Sequence, residues 1–174
     1  EEQGIESVTQ IPYGVNTRAL ETLPSKELDE PLQFITVSRL APNKQVDHAI
    51  AALWCLRGEH EMEARLKIVG QGQEKPALRK LVHDLKVEEH VEFCGALPET
   101  DKDAALREAH FLLHTSLREG WGLNVIEANA MGTPAIVYPT PGLMESTLHE
   151  QTGLVANEES PAALAAMIAS VQSH

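Results

Sequence analysis

Short apolar runs alternate with longer amphipathic segments along this chain. Residues 33–37 are rich in β-branched and aromatic side chains, which predicts a strand, and a polar turn follows over 38–44. From Val46 to Leu56 the apolar residues recur at every third or fourth position, which predicts a helix with one buried face. Gly58 is predicted to end this helix. The pattern thus predicts a strand, a loop and a helix in this order.

The same order repeats through the rest of the chain. Further strands are predicted at 66–69, 91–93, 111–114 and 135–138, with helices over 78–85 and 101–108 and one that ends at Met131. The chain closes with Gly153-Leu154-Val155 and an alanine-rich helix that begins at Ser160-Pro161, a cap followed by proline. Strands that alternate with helices favour a parallel sheet covered on both faces. The predicted fold class is α/β, a doubly wound Rossmann-like parallel sheet over 33–174, behind an irregular lead-in segment at 1–32.

Composition and charge narrow the function classes. The hydrophobic fraction of 43% and charged fraction of 23% are those of a globular protein, and no apolar run approaches the ~20 residues that span a bilayer. A net charge of −12 argues against general nucleic-acid binding, which needs clustered Lys and Arg. Cys55 and Cys94 form no Cys-x-x-Cys motif, and no signal-like region opens the chain, so we expect a cytoplasmic protein.

In open parallel sheets, ligands bind at the carboxyl ends of the strands, so the loops there are informative. The loop after the first strand carries Arg39 and Lys44, which could clamp a diphosphate, Arg by its planar fork and Lys as a point charge. Taken alone, the two residues favour a different interpretation. Lys44 would then begin a solvated helix, and Arg39 would pair with a surface acid.

The loop after the second strand contains Gly70-Gln71-Gly72. It is not a dinucleotide fingerprint, because Lys75 occupies the position of the third glycine and the turn is not the first strand-to-helix turn. We expect a structural tight turn here, and a tight turn that brings the backbone near a ligand is the alternative.

The segment from Ser116 to Pro134 carries the strongest signal. Gly120 and Gly122 allow close approach of the backbone to a ligand, and a short buried helix follows. The backbone N–H groups of Leu123 and Asn124 at the start of this helix, aided by its dipole, could bind phosphate oxygens.

Two carboxylates flank this turn, Glu119 and Glu127. Both could be acids on a helix surface, but Glu127 stands among apolar and small residues, where an unpaired carboxylate is unfavourable to bury. A carboxylate in such surroundings requires hydroxyl donors. The hydroxyls of a ribose and of a sugar are natural partners for the two acids.

These residues resemble the E-x7-E signature of the retaining GT-B glycosyltransferases of family 4, the glycosyl transferases group 1. The resemblance covers nearly the whole chain. It extends over 11–16, similar to the hinge-side entry of that family, and over 37–44, 68–72, 91–95 and 152–155. It implies one half of a GT-B fold, the C-terminal donor-binding domain.

By this resemblance, the basic pair Arg39 and Lys44 would hold the donor diphosphate, Glu119 the transferred sugar and Glu127 the ribose. The loop after Phe93, around Cys94 to Leu97 and including Gly95, would lie beside the base. Further donor contacts are expected from the signature turn, at Gly120, Trp121, Gly122, Leu123 and Asn124. Trp121 could stack near the sugar or pack the loop.

The resemblance further implies a retaining hexosyl transfer that uses a UDP- or GDP-sugar, without metal or cofactor. The acceptor, a glycan or lipid-linked glycan, would bind an N-terminal domain that we expect to be absent from this chain, so the chain alone is not expected to transfer sugar. Association with the inner face of a membrane would also depend on that domain. A GT-B sugar-nucleotide epimerase and a non-catalytic nucleotide-sugar-binding module are the alternatives.

Two features lie outside this scheme. His114 ends a predicted strand and could approach the cleft, but a structural role is the expectation, and no H-E-x-x-H metal motif occurs. Residues 141–145 differ from the double-glycine form common in the family, which leaves their contacts open.

Overall fold

A computed structural model describes residues 14–15 and 26–172 and contains a six-stranded sheet. All neighbouring strands are parallel, in the order β3-β2-β1-β4-β5-β6. The strands are β1 (Leu32–Val37), β2 (Ala64–Val69), β3 (Val91–Gly95), β4 (Phe111–His114), β5 (Ala135–Val137) and β6 (Gly153–Val155). The predicted doubly wound parallel sheet is confirmed.

Helices connect the strands and follow the last one. They are α1 (Val46–Glu59), α2 (Lys75–Asp84), α3 (Glu99–Glu108), α4 (Leu123–Ala130), α5 (Pro141–Ser146) and α6 (Pro161–Gln172), with 3-10 turns at Pro42–Lys44 and Glu88–His90. The predicted cap of the last helix is present, because the Ala163 amide donates to Ser160 Oγ at 3.1 Å.

The sheet has an apolar core on each face. Phe34 of β1 belongs to the core with α1, α2 and α6, whereas its neighbour Ile35 belongs to the core with α3, α4 and α5. In β4, Leu113 belongs to the first of these cores and Leu112 to the second. Because successive side chains of a strand point to opposite faces, strands this apolar must be covered on both.

The structure departs from the prediction at the end of α1 and at α5. Helix α1 continues past Gly58 to Glu59, and the chain leaves it only at Glu61, whose φ is 53°. Helix α5 was not predicted, since Pro141 and Gly142 are ordinary turn signals. Proline is nevertheless compatible with the first helical position, because its missing N–H has no partner there.

The order of the strands fixes where a ligand can bind. Phe34 of β1 is in register with Leu66 of β2 on one side and Phe111 of β4 on the other. The connections that leave β1 and β4 diverge toward opposite halves of the sheet, which opens a crevice at the carboxyl ends of these two strands. The loops that begin at Ser38 and Thr115 border this crevice.

The lead-in boundary at 1–32 stays a prediction. Of the segment 11–16, only Gly14 and Val15 lie within the described residues. Across the described ranges, no helix is long and apolar enough to cross a membrane.

Candidate functional site

The loops after β1 and β4 are joined by hydrogen bonds. The Leu117 amide donates to the Asn43 carbonyl at 2.9 Å, and Thr115 Oγ1 donates to the Gln45 carbonyl at 2.8 Å. Asn43 and Gln45 flank Lys44 on either side in the sequence. The backbone of the basic loop is therefore fixed by the segment that leads into the signature.

Lys44 and Glu119 form an ion pair in this crevice. Lys44 Nζ donates to Glu119 Oε2 at 2.5 Å, and the two side chains are only 13% and 21% exposed. Lys44 ends a 3-10 turn and does not begin a solvated helix, so that alternative was wrong. The structure thus places one of the two basic residues directly against the first signature carboxylate.

Arg39 lies on the same loop and is exposed. Within 14–15 and 26–172, no acid forms an ion pair with its guanidinium, contrary to the alternative interpretation. Its predicted role at the diphosphate remains a prediction, and the side chain is accessible to an anion.

The N-terminus of α4 faces the same loops. Gly122 precedes the helix with a φ of 71°, and neither Leu123 nor Asn124 donates its backbone N–H to a described residue. The Asn124 side chain instead donates to the Val37 carbonyl at 2.7 Å and so ties the helix start to the end of β1. An uncapped helix start beside Lys44 is suited to bind an anion.

Helix α5 supports the signature turn from behind. A Cβ atom on Gly142 would lie 2.1 Å from the Glu119 carbonyl oxygen and 2.8 Å from the Gly120 carbonyl carbon. Only glycine permits this contact between two backbones. The sequence left the contacts of 141–145 open, and the structure shows that they hold the turn that carries Glu119.

The two glycines of the signature differ in what surrounds them. A Cβ on Gly120 would meet nothing within 4 Å, whereas one on Gly122 would lie 2.9 Å from Leu143 Cδ2 and from Ser146 Oγ, at a positive φ. We therefore expect Gly122→Ala to lower the free energy of unfolding by about 1–2 kcal/mol, the penalty of a left-handed residue. Gly120→Ala is the matched control and should leave urea unfolding nearly unchanged. Equal effects of both substitutions would contradict this account.

Glu127 is paired, contrary to the expected apolar surroundings. Its Oε2 accepts a hydrogen bond from Lys102 Nζ at 2.9 Å, and its side chain is 29% exposed. Lys102 also pairs with Glu99 at 2.8 Å. Lys102 was not among the predicted site residues, because it comes from α3, a different part of the chain.

The Glu127 side chain lines a cavity of about 250 Å³ between α3 and α4. The lining residues are Gly14, Val15, Glu99, Asp103, Leu123, Glu127 and Met131. This volume is slightly below the ~300 Å³ at which pockets for small molecules begin, so it suits part of a ligand and not a whole sugar nucleotide.

The glycine turn after β2 is structural, as predicted. A Cβ on Gly70 would lie 1.8 Å from the Ser38 carbonyl oxygen, and one on Gly72 would lie 2.1 Å from that of Leu40. The Gly70 amide also donates to the Gly95 carbonyl at 2.7 Å. These contacts hold the loops after β1, β2 and β3 together, and Gly95 lies at this edge with a φ of 74°.

Two ring side chains lie close to Glu119. His114 is beside its carboxylate, and Trp121 is in the turn that follows it. His114 is buried, and its Nε2 lies 3.6 Å from Glu119 Oε2. Burial lowers the pKa of His114 to about 4; Glu119 and a hydrogen bond to Asn124 oppose this change, and Lys44 reinforces it. Trp121 is half-buried in the signature turn, and its role remains a prediction.

Unpaired buried polar atoms collect at this crevice. Among the described residues, the buried side-chain atoms without a hydrogen-bond partner are Ser38 Oγ, Gln45 Oε1, His114 Nε2 and Thr147 Oγ1. The first three lie at the carboxyl ends of β1 and β4 or in the loop between β1 and α1. Such atoms are rare in folded proteins and commonly have a partner in a bound ligand or water. Within residues 14–15 and 26–172, no group of three or more His, Cys, Asp or Glu residues is placed to hold a metal ion.

Comparison with known proteins is consistent with this arrangement. The family model described as "Glycosyl transferases group 1" matches residues 21–173. A GDP-mannose-dependent alpha-(1-6)-phosphatidylinositol monomannoside mannosyltransferase of Mycobacterium tuberculosis is 33% identical over 170 residues, which cover 88% of this chain and 44% of that protein. The glycogen synthase of the same organism is 32% identical over 168 residues, which cover 97% and 40%. This chain thus spans less than half the length of these relatives.

Solved structures show the same fold. Anabaena HepE in complex with UDP and glucose matches with a TM-score of 0.72 at 23% identity, over 81% of this chain and 38% of HepE. The pneumococcal O-GlcNAc transferase GtfA in complex with UDP and GlcNAc matches with a TM-score of 0.69 at 25% identity, over 81% and 28%.

Proposed function

Because this chain belongs to the glycosyl transferases group 1 family, we propose that it is the donor-binding domain of a retaining, metal-independent hexosyltransferase that uses a nucleoside-diphosphate sugar. One observation carries the proposal. Lys44 and Glu119 are paired at 2.5 Å in the crevice between β1 and β4, beside the uncapped N-terminus of α4. A cation, a carboxylate and free N–H groups in one place match a ligand with both phosphates and hydroxyls.

The diphosphate would bind between Lys44 and the start of α4. The ammonium contributes a point charge, and the N–H groups of Leu123 and Asn124 point out of the positive end of the helix dipole. Arg39 is accessible on the same loop and would complete the grip. Such local positive groups are required because the net charge of the chain is −12, which repels anions at long range.

The two signature carboxylates would bind hydroxyls. Glu119, next to the diphosphate grip, would accept hydrogen bonds from the transferred sugar, and Glu127, at the cavity between α3 and α4, from the ribose. Both carboxylates are bonded to lysines in the free chain, so each can exchange one strong donor for another. The base would then extend toward the loop at Gly95.

The chemical contribution of this domain would be electrostatic. Negative charge develops on the departing diphosphate, and preorganised donors at Lys44, Arg39 and the α4 terminus would stabilise it. Glu119 and Glu127 would position the donor and need not transfer a proton. The stereochemical outcome would be retention, and the diphosphate would be neutralised without a metal ion.

The relatives support the proposed donor class. One relative is named as GDP-mannose-dependent, and GtfA was solved with UDP and GlcNAc, so we propose a GDP- or UDP-sugar as the donor. The acceptor would be a glycan or lipid-linked glycan bound by a further domain, and this chain alone would bind donor without transferring sugar.

Calorimetric titration of the chain with UDP-glucose and GDP-mannose tests the proposal. Saturable binding of at least one of them, competed by the matching nucleoside diphosphate, is expected. If the folded chain binds neither compound, the proposed function is wrong.

Glu127→Ala should weaken the binding about tenfold or more, because a hydrogen bond to a charged group contributes roughly 1.5–3 kcal/mol. Lys102 keeps its second partner, Glu99, so no buried charge is left alone and the fold should keep its stability. Glu108→Ala is the control, since this carboxylate is exposed and pairs with Lys67 at 3.1 Å. An affinity that Glu127→Ala leaves unchanged would exclude Glu127 from the ribose site.

A further inference from the structure

His114 is a buried imidazole that faces the sugar-binding end of the proposed site. Its side chain is 4% exposed, and its Nε2 has no hydrogen-bond partner among the described residues. The nearest acid is Glu119, whose Oε2 lies 3.6 Å away. This distance is just outside hydrogen-bonding range, so a shift of a few tenths of an ångström would close it.

Asn124 of α4 acts on the imidazole as well. Its side chain interacts with the ring and raises the pKa of His114 against the effect of burial. Asn124 is itself tied to the Val37 carbonyl at 2.7 Å. The Nε2 atom of the ring lies toward Glu119, at the carboxylate oxygen that Lys44 also contacts.

Lys44 would face a second anion when a donor binds. In the free chain it holds Glu119 at 2.5 Å, whereas the proposed function requires it at the donor diphosphate. A carboxylate that loses its cation in a mostly buried place needs another hydrogen-bond donor. Among the described residues, the charged groups that act on His114 are Glu119 and Lys44. The imidazole is therefore the group placed to donate a hydrogen bond to Glu119.

We propose that His114 is a positioning residue that takes over the Glu119 carboxylate when Lys44 moves to the diphosphate. Its Nε2–H then donates to Glu119 Oε2 and keeps the carboxylate aimed at the transferred sugar. The inference rests on the proposed function. It assigns to the end of β4 a role in holding the donor, distinct from the structural role that its sequence position suggests.

Nitrogen NMR of the imidazole tests the exchange of partners directly. The chain contains eight histidines, so the His114 signal is assigned by its loss in His114→Gln. On saturation with UDP-glucose or GDP-mannose, the Nε2 signal is expected to shift to that of a proton-bearing, hydrogen-bonded nitrogen. Burial and Lys44 hold the pKa of His114 near 4 in the free chain, and release of Lys44 should raise it.

Two substitutions separate the Nε2 contact from simple packing. His114→Gln keeps a donor near the Nε2 position, whereas His114→Asn keeps one only near Nδ1. We expect donor affinity to fall about tenfold in His114→Asn and to stay within about threefold of the parent in His114→Gln, with both melting temperatures measured. Equal affinities of the two variants would overturn the proposal.

The outcomes distinguish the two hypotheses. Donor binding with an unchanged His114 Nε2 signal overturns this inference alone. Failure of the parent chain to bind either sugar nucleotide overturns the proposed function and this inference together. If one variant fails to fold, the loss of the His114 signal in the other variant assigns it, and the NMR titration of the parent chain decides the matter.

Discussion

Lys44→Ala is expected to lower the affinity for a nucleotide sugar by about 30-fold or more. Removing one member of a charge pair formed with a ligand typically costs 2–5 kcal/mol, and each 1.4 kcal/mol is a factor of about ten. Lys44 is 13% exposed, so water screens its charge poorly. Calorimetry with UDP-glucose and GDP-mannose measures the effect.

Lys80→Ala is the matched control for this experiment. Lys80 also forms an ion pair at 2.5 Å, with Asp84, but it lies on the surface of α2 with its side chain 75% exposed. Exposed pairs contribute little, so neither affinity nor stability should change measurably. The diphosphate assignment fails if Lys44→Ala binds donor as well as Lys80→Ala does.

Gly142→Ala is expected to have the second largest effect, on stability and on donor binding together. The added methyl group would lie 2.1 Å from the Glu119 carbonyl oxygen, and backbone atoms cannot rotate away. Overpacking of this kind lowers the free energy of unfolding by about 2–3 kcal/mol. The turn with Glu119 must shift to relieve it, so donor affinity should also fall, by about tenfold, comparable to the loss of one charged hydrogen bond.

Gly58→Ala is a control that is expected to change the free energy of unfolding in the opposite direction. Gly58 lies within α1, and a Cβ there would meet nothing within 4 Å. Alanine in an open helical position should raise the free energy of unfolding by about 0.5–1 kcal/mol. Urea unfolding of both variants measures the difference, and a Gly142→Ala protein as stable as the parent would show that α5 does not support the signature turn.

The two substitutions also differ in what they reveal. Lys44→Ala removes a charge and adds no atom that would push the turn out of place, so a loss of affinity larger than the loss of stability would point to the diphosphate. Gly142→Ala changes no charge, and its effect on binding would come only through the position of Glu119. Together they separate the electrostatic grip from the geometry of the turn that carries it.

The sequence by itself determined the fold class and the place of the signature. Apolar periodicity is local, and it was sufficient to predict every strand from β1 to β5 and the helices α1 to α4. The spacing of Glu119, Gly120, Gly122 and Glu127 is also local, so it identified a turn at the start of a helix and the family of the chain. Only the sheet order then decided that this turn meets the loop that carries Lys44.

The contacts of the signature residues could not be predicted, because their partners belong to other secondary-structure elements. Lys102 reaches Glu127 from α3, Gly142 contacts Glu119 from α5, and His114 faces Glu119 from the end of β4. None of these residues stands out in sequence, since a lysine, a Pro-Gly pair and a strand-end histidine each have an ordinary local explanation. Their roles depend on which surfaces are brought together when the two faces of the sheet are covered. That is a property of tertiary packing and not of local pattern.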